Sequence, residues 1–340
     1  MLKATLTLKL KEWRGQRWLR SQAARQQLLT NGLVLMLHRI VEDEDEAALP
    51  HRNELCVAAS TFDRFLGWLA SEFDCVALTD LLEQPAGGKQ PRVALTFDDG
   101  WEDNARLALP LLQKHQLTAS VFVTTDFPGN STTFWWESIG ERLFNLNCPT
   151  QDPVLLQALA DAGMPVPEGV RRAGLCPQQR SFHLQHYLAS LKTLSDDTLI
   201  SLAALAASGQ PQAMDWPAIR QLEQSGHFRF GAHGASHALL DRLSPQELSR
   251  ELDHSLAALA REVRQPLPIY CYPNGNYNAE VQAALRQRHI PWALSTRPGL
   301  VTGTADPLGI PRICLSQRAA ARPGLLGWRI RMGAKAGRNP

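Results

Sequence analysis

Arg92-Val93-Ala94-Leu95-Thr96-Phe97-Asp98-Asp99-Gly100 runs from an apolar, strand-like hexapeptide straight into two adjacent carboxylates and a glycine. A short apolar run bounded by turn residues predicts a strand buried in a sheet. In α/β barrels the C-terminal ends of the strands carry the catalytic groups, and Asp98 and Asp99 fall at such an end. Successive side chains on a strand point to opposite faces. Both carboxylates can therefore serve one site only if the strand stops and bends at them, and Gly100 allows that bend. Held side by side, the two charges repel unless a cation or a shared proton relieves them. A helix cap or Asx turn is the plainer use of Asp-Asp-Gly; the buried strand in front of it favours function.

On both sides of this segment the chain alternates strand and helix. Before it, the pattern predicts a strand over 33–37, a helix over 60–73 with Ser60 as N-cap, a strand over 76–78, and a helix through Leu81 and Leu82 capped by Thr79. After it come a helix over 104–115 and a strand over 120–124. Between about 137 and 208, Leu, Ala and Gln dominate and β-branched runs are few, which predicts a helical insertion. Alternation then resumes: helices over 216–225, 244–263 and 279–288, strands over 227–231, 269–272 and 292–295. Repeated β-then-α order predicts an α/β fold, a parallel sheet or barrel with helices outside. The expected organisation is one such domain over 31–315, between a basic N-terminal segment (1–30) and a basic C-terminal tail (316–340).

Composition narrows the classes. At 44% hydrophobic and 20% charged over 340 residues, the chain is neither disordered nor collagen-like, and it can bury a large core. Its six cysteines are scattered and form no CxxC pair, which argues against a disulfide framework or a zinc knuckle and fits a reducing compartment. The net charge of +2 hides two ends of +6 each around a body of −10. No run approaches the roughly 20 apolar residues of a membrane span, and the N-terminus lacks the apolar core of a secretory leader. The expectation is a soluble, cytoplasmic protein. Residues 1–28 can be drawn as one basic amphipathic helix with Trp13 and Trp18 among the cations, able either to pack on the domain or to lie on an anionic membrane. No nucleic-acid module accompanies the basic ends.

Two further segments carry chemistry. His233-Gly234-Ala235-Ser236-His237 follows a predicted strand, and histidines four apart share one face if the segment makes a helical turn. An aspartate with two histidines leaves open positions on a metal for water and substrate, as catalytic zinc sites do. Cys271-Tyr272-Pro273-Asn274-Gly275-Asn276-Tyr277 leaves a strand through a sharp turn whose backbone N–H groups could hold an oxyanion. By itself it reads as a turn.

Together these segments resemble the polysaccharide deacetylase family, the carbohydrate esterases that share the NodB homology domain. Its markers stand in order: Thr96 to Gly100, His233-x-x-x-His237, and Tyr272 to Gly275, with the likeness spanning roughly residues 32–315. The resemblance implies a distorted (β/α) barrel, a divalent metal, usually zinc, and removal of an N-acyl, typically N-acetyl, group from an amino sugar. It implies Asp98 as general base, Asp99, His233 and His237 as metal ligands, and the N–H of Asn274 at the oxyanion, with Pro273 and Tyr277 beside it on the substrate side. The expected partner is an N-acetylated glycan or lipid-linked sugar, with the basic ends in peripheral contact with the inner face of a membrane and no nucleic acid.

The chain also departs from the pattern. Where many members carry an arginine two residues before the proline, it has Cys271. Where many carry a late histidine as general acid, Ile310-Pro311-Arg312-Ile313 has none, and His289 falls on a predicted helix. The candidate acid is His38, in Leu35-Met36-Leu37-His38-Arg39-Ile40, a segment similar to one in a circularly permuted branch. A strand-end histidine bonded to the next loop is its plainer use. Arg39 and Arg312 are placed to orient His38 or to bind substrate anions and do not rank as catalytic, Asn104 is placed to support the metal loop, and Trp135 and Trp136 to stack on sugar or pack inward. The losses leave open a barrel that binds a glycan or lipid carrier without turnover, and the metal site leaves open another C–N hydrolase, a deformylase or cyclic-imide hydrolase.

Overall fold

The computed structural model describes residues 2–52, 54–130, 134–144, 153–171, 177–207 and 212–336. Ten strands are present among them: β1 (Leu33–Leu37), β2 (Arg39–Val41), β3 (Cys56–Ala58), β4 (Asp74–Cys75), β5 (Arg92–Phe97), β6 (Ala119–Val123), β7 (Phe228–Ala232), β8 (Ile269–Cys271), β9 (Trp292–Leu294) and β10 (Ile313–Cys314). Seven lie in the order β10-β1-β5-β6-β7-β8-β9, all neighbours parallel, with β4 added beside β5 and a separate parallel pair of β2 and β3. Every residue of β1 and β6 is buried, as expected for strands covered on both faces. The sheet curls into a distorted barrel whose end strands share no ladder. That seam is bridged by one short passage. Ile310 pairs with Leu294 of β9, and three residues later Ile313 pairs with Leu35 of β1.

Helices cover the outside. The helix Ala59–Glu72 buries Phe62, Phe65, Leu66 and Leu69, the helical stripe visible in the sequence. Ser60 lies inside it, two residues past the N-cap Ala58, which makes no side-chain cap. The strand expected over 76–78 is instead β4, and Thr79 belongs to the first turn of the helix Leu78–Glu83, whose N-cap is Ala77. Short elements give too few residues for periodicity to fix a boundary. The helix expected over 104–115 opens as a π-helical stretch, Asn104–Ala108, before the α-helix Leu109–His115. Pro110 has no N–H to continue a regular ladder back through this turn. Such π-bulges gather at functional sites, and here the bulge lets Asn104 Nδ2 reach the carbonyl of His38 at 3.0 Å.

The insertion is helical, as its composition implied. It comprises Trp135–Phe144, Pro153–Asp161, Glu168–Arg171, Pro177–Leu191 and Asp196–Ala206. Ile139, Leu155, Leu159, Leu184 and Leu191 build its own fully buried core. Cys148 and Cys176 lie outside the described residues; the four described cysteines are free thiols.

The two basic ends meet. The N-terminal segment is two helices rather than one, Leu2–Leu19 and Gln22–Leu29, broken at Ser21, whose hydroxyl accepts from Ala24 N–H and caps the second. The last helix, Pro323–Ala336, packs against the first so closely that a Cβ on Gly15 would stand 1.8 Å from the Gly324 carbonyl oxygen. Leu326 and Ile330 of that last helix are fully buried in the main core.

Candidate active site

The strand β5 ends where the sequence suggested, but the bend begins one residue before the glycine. Asp99 has φ 75° and Gly100 φ 89°. A non-glycine residue in the left-handed region is strained, and such strain collects at functional sites. The turn is held by Asp98 N–H donating to Leu37 O at 3.0 Å and Thr124 N–H donating to Asp99 O at 3.2 Å. Both carboxylates, each 2% exposed, then line one cavity at the C-terminal ends of the strands.

The two histidines reach that cavity by a different route from the one expected. No helical turn spans them. His233 follows β7 directly, and the chain reverses through Gly234 (φ 78°) to His237 (φ 67°). The Glu251 carboxylate fixes this loop by accepting from Ala235 N–H at 2.8 Å and Ser236 N–H at 2.9 Å. As a result His233 Nε2 and His237 Nε2 each lie 3.4 Å from Asp99 Oδ1.

This triad fits a divalent metal. A tetrahedral ion held at roughly 2.0–2.1 Å by each donor places the donors about 3.3 Å apart, close to the observed spacing. The outer contacts point the same way: His233 Nδ1 bonds the Cys271 carbonyl at 2.9 Å, which frees Nε2, and Trp101 Nε1–H donates to Asp99 Oδ2 at 2.8 Å, which frees Oδ1. Burial works against a charged His233, yet Cys271, Asp99 and Asp98 hold its pKa well above the usual range. That is a field that favours a cation. Asp98, His233 and Cys271 also lie within ligating distance of one another. Arg312 occupies both oxygens of Asp98, however, which leaves the Asp99 set as the better cradle.

Sequence reasoning set Arg312 aside, and here it is central. Its Nη1 and Nη2 each donate to an Asp98 oxygen at 2.7 Å, its Nε donates to Ser295 O at 2.9 Å, and it is 1% exposed. Nη2 also lies 3.2 Å from the sulfur of Cys271, the position where an arginine was missing from the third motif. A guanidinium reaches this position from the residue just before β10. Burial opposes ionisation of Asp98, but the charge and hydrogen bonds of Arg312, with His233 and His38, outweigh it and hold the carboxyl below its ordinary range.

His38, just after β1, lies with Nε2 4.0 Å from Asp98 Oδ2, and its buried Nδ1 has no hydrogen-bond partner among the described residues. Burial depresses its pKa, against the pull of Asp99 and Asp98. Asn274 lines the same cavity with φ 56°, in the 3₁₀ turn Pro273–Gly275. Pro273 is buried in that turn, and Tyr277 stacks on Tyr272 at 4.7 Å beneath the Arg297 guanidinium; neither lines the cavity.

The insertion closes the other side. Trp136 stands 4.8 Å from the His237 ring, and Trp135, Leu188 and Lys192 complete a cavity of about 340 Å³. Glu137, 2% exposed, fastens the insertion to the barrel by accepting from Arg39 Nη1 and Arg52 Nε at 2.6 Å each. Arg39 continues to Asp103 at 2.7 Å and lies over the Trp101 ring, which itself holds Asp99. Nothing local in the sequence signals this network.

A curled parallel barrel with a carboxylate and an Asp-His-His cradle at its strand ends defines a hydrolase site of the deacetylase kind. The chain belongs to the polysaccharide deacetylase family, whose model matches residues 86–167 and 189–291, and it is thus a hydrolase that acts on carbon–nitrogen bonds. His38 and Arg312 lie outside the matched residues. Solved structures share the fold: the Streptococcus pyogenes deacetylase PplD in complex with acetate has 18% identity and TM-score 0.56, covering 87% of this chain and 96% of that one. IcaB from Ammonifex degensii has 14% identity and TM-score 0.55, covering 88% and 97%. A de-N-acetylase from Aggregatibacter actinomycetemcomitans has 14% identity and TM-score 0.52, covering 84% and 95%. No curated protein sequence matches the chain.

Proposed function

We propose that the protein removes the acetyl group from an acetamido sugar in a polysaccharide or lipid-linked glycan, using a divalent metal held by Asp99, His233 and His237. Zinc suits an Asp-His-His donor set best. The observation that carries the reading is the juxtaposition of that triad with Asp98 and His38 in one cavity. When bound, the metal supplies a Lewis acid for the acetyl carbonyl and lowers the pKa of water. Asp98 takes the proton of the attacking water, Arg312 keeps Asp98 ionised and aimed, and the turn at Asn274 offers an N–H to the developing oxyanion. His38 delivers a proton to the leaving amine, which cannot depart as an anion near neutral pH. The acetate in the Streptococcus pyogenes structure supports a product of this kind. The gaps that left room for a non-catalytic barrel have counterparts here in Arg312 and His38.

The test is metal content measured beside acetate release. Wild-type protein is expected to hold one divalent ion and to release acetate from N-acetylhexosamine oligomers. His233→Ala and His237→Ala should lose the ion and at least a hundredfold in rate. A metal-loaded wild type that releases no acetate from such a panel, but hydrolyses a formamide or a cyclic imide, would sink the proposal.

We further propose that the protein works in the cytoplasm, with peripheral contact at the inner face of the membrane. No helix among the described residues is long and apolar enough to cross a bilayer. Leu6, Leu10 and Trp13 are exposed at helical spacing, and Arg14, Arg17, Arg331 and Lys335 border a groove with Trp18 and Trp328 and no acidic residue in its lining. Apolar and cationic groups on one surface suit anionic headgroups. Vesicles with phosphatidylglycerol should co-sediment the protein at low salt and release it at high salt. Equal sedimentation with neutral vesicles would count against this contact.

A further inference from the structure

Beyond Lys192 the cavity adjoins a second groove of about 750 Å³, between the insertion and the segment after β7; Lys192 and Leu239 line both. Four carboxylates line that groove, and three are already engaged. Glu251 holds the histidine loop, Glu247 closes a capping box with Ser244, and Asp126 pairs with His254 at 2.8 Å. Its cations are less well matched. Lys192 Nζ donates to the side-chain oxygen of Asn274, and Arg242 Nη1 donates to the Lys192 carbonyl at 2.8 Å. Among the described residues neither has a carboxylate within ion-pairing distance. Burial and the Arg242 charge both depress the Lys192 pKa, a strain that an incoming anion relieves.

We propose that Lys192 and Arg242 form an anion subsite, which takes a phosphate or carboxylate oxygen carried by the substrate next to its acetamido sugar. This deepens the deacetylase reading and rests on it: the substrate class becomes an anionic glycan or a sugar joined through phosphate. A lysine bonded only to an amide oxygen on the edge of a catalytic cavity has donors to spare for such a group, and charge-assisted bonds are the stronger ones. The alternative is that Lys192 merely positions Asn274.

The metal-loaded enzyme is assayed on three substrates: a neutral N-acetylhexosamine oligomer, the same oligomer bearing a glycosyl phosphate, and one bearing a uronate. Wild type is expected to favour one anionic substrate over the neutral one at least tenfold in kcat/KM, and which anion is favoured names the source. Lys192→Met and Arg242→Gln should each remove most of that preference, and Lys192→Arg should keep it. Equal losses on neutral and anionic substrates would assign Lys192 to positioning Asn274 and overturn the subsite, as would a wild type with no preference. Calorimetric titration of metal-stripped protein with inorganic phosphate gives an independent arm. Binding weakened at least tenfold in Lys192→Met supports the subsite even if no substrate releases acetate, an outcome that would count against the deacetylase reading alone. Where no substrate is turned over, absence of phosphate binding overturns the proposal.

Discussion

Asp98→Asn protein is expected to keep its metal and lose about a thousandfold in acetate release, within the range a positioned general base contributes. The amide is isosteric with the carboxylate and leaves Asp99, His233 and His237 untouched, but it cannot take the proton of the attacking water. Metal analysis with steady-state rates checks this. A rate within tenfold of wild type would remove Asp98 as the base. If His38 protonates the departing amine, His38→Gln should fall about a hundredfold; an unchanged rate would require another proton donor.

Arg312→Met is expected to destabilise the fold by about 3–5 kcal/mol, the usual result of stranding one member of a buried ion pair. Urea unfolding measures it. With its guanidinium gone, Asp98 remains desolvated beside the Cys271 sulfur, 3.5 Å away, and its pKa moves from below the ordinary range to above it. The pH dependence of stability therefore changes sign. In wild type the stabilisation from ionised Asp98 is fully present above its unfolded pKa of about 3.8 and is lost as pH falls through the lowered folded value. In the variant, stability is lost as pH rises from that unfolded value toward the raised folded one. Adding Asp98→Asn to Arg312→Met removes the stranded charge and should return part of the loss. A double variant no more stable than Arg312→Met would contradict this account.

The repeated elements were legible in the sequence because their signals are local. β1 and β5 fall where short apolar runs put them, and the helix expected over 244–263 does start at Ser244, which caps it with its own side chain. The Asp98–Asp99 bend was legible too, since a strand, two acids and a glycine announce it. What escaped was whatever needs two distant segments at once. The histidine pair looked helical at spacing four, yet Gly234 and the distant Glu251 form a left-handed loop that delivers the same convergence. Arg312 looked peripheral because its partner is 214 residues away, and Glu137 gave no hint of Arg39, 98 residues away. Tyr277, expected on the substrate side, stacks on Tyr272 and does not line the cavity.

The short passage from Ile310 to Ile313 across the barrel seam has a consequence for the order of events during synthesis. The proposed cation cradle and its supports, Glu251 and the Cys271 carbonyl, all precede residue 272, but Asp98 has no guanidinium beside it until residue 312 arrives and β10 docks on β1. On the proposed function, a chain clipped before residue 312 would keep the residues that hold the ion but lose the partner that aims Asp98. Contacts of such long range form slowly, so full activity would come late in folding.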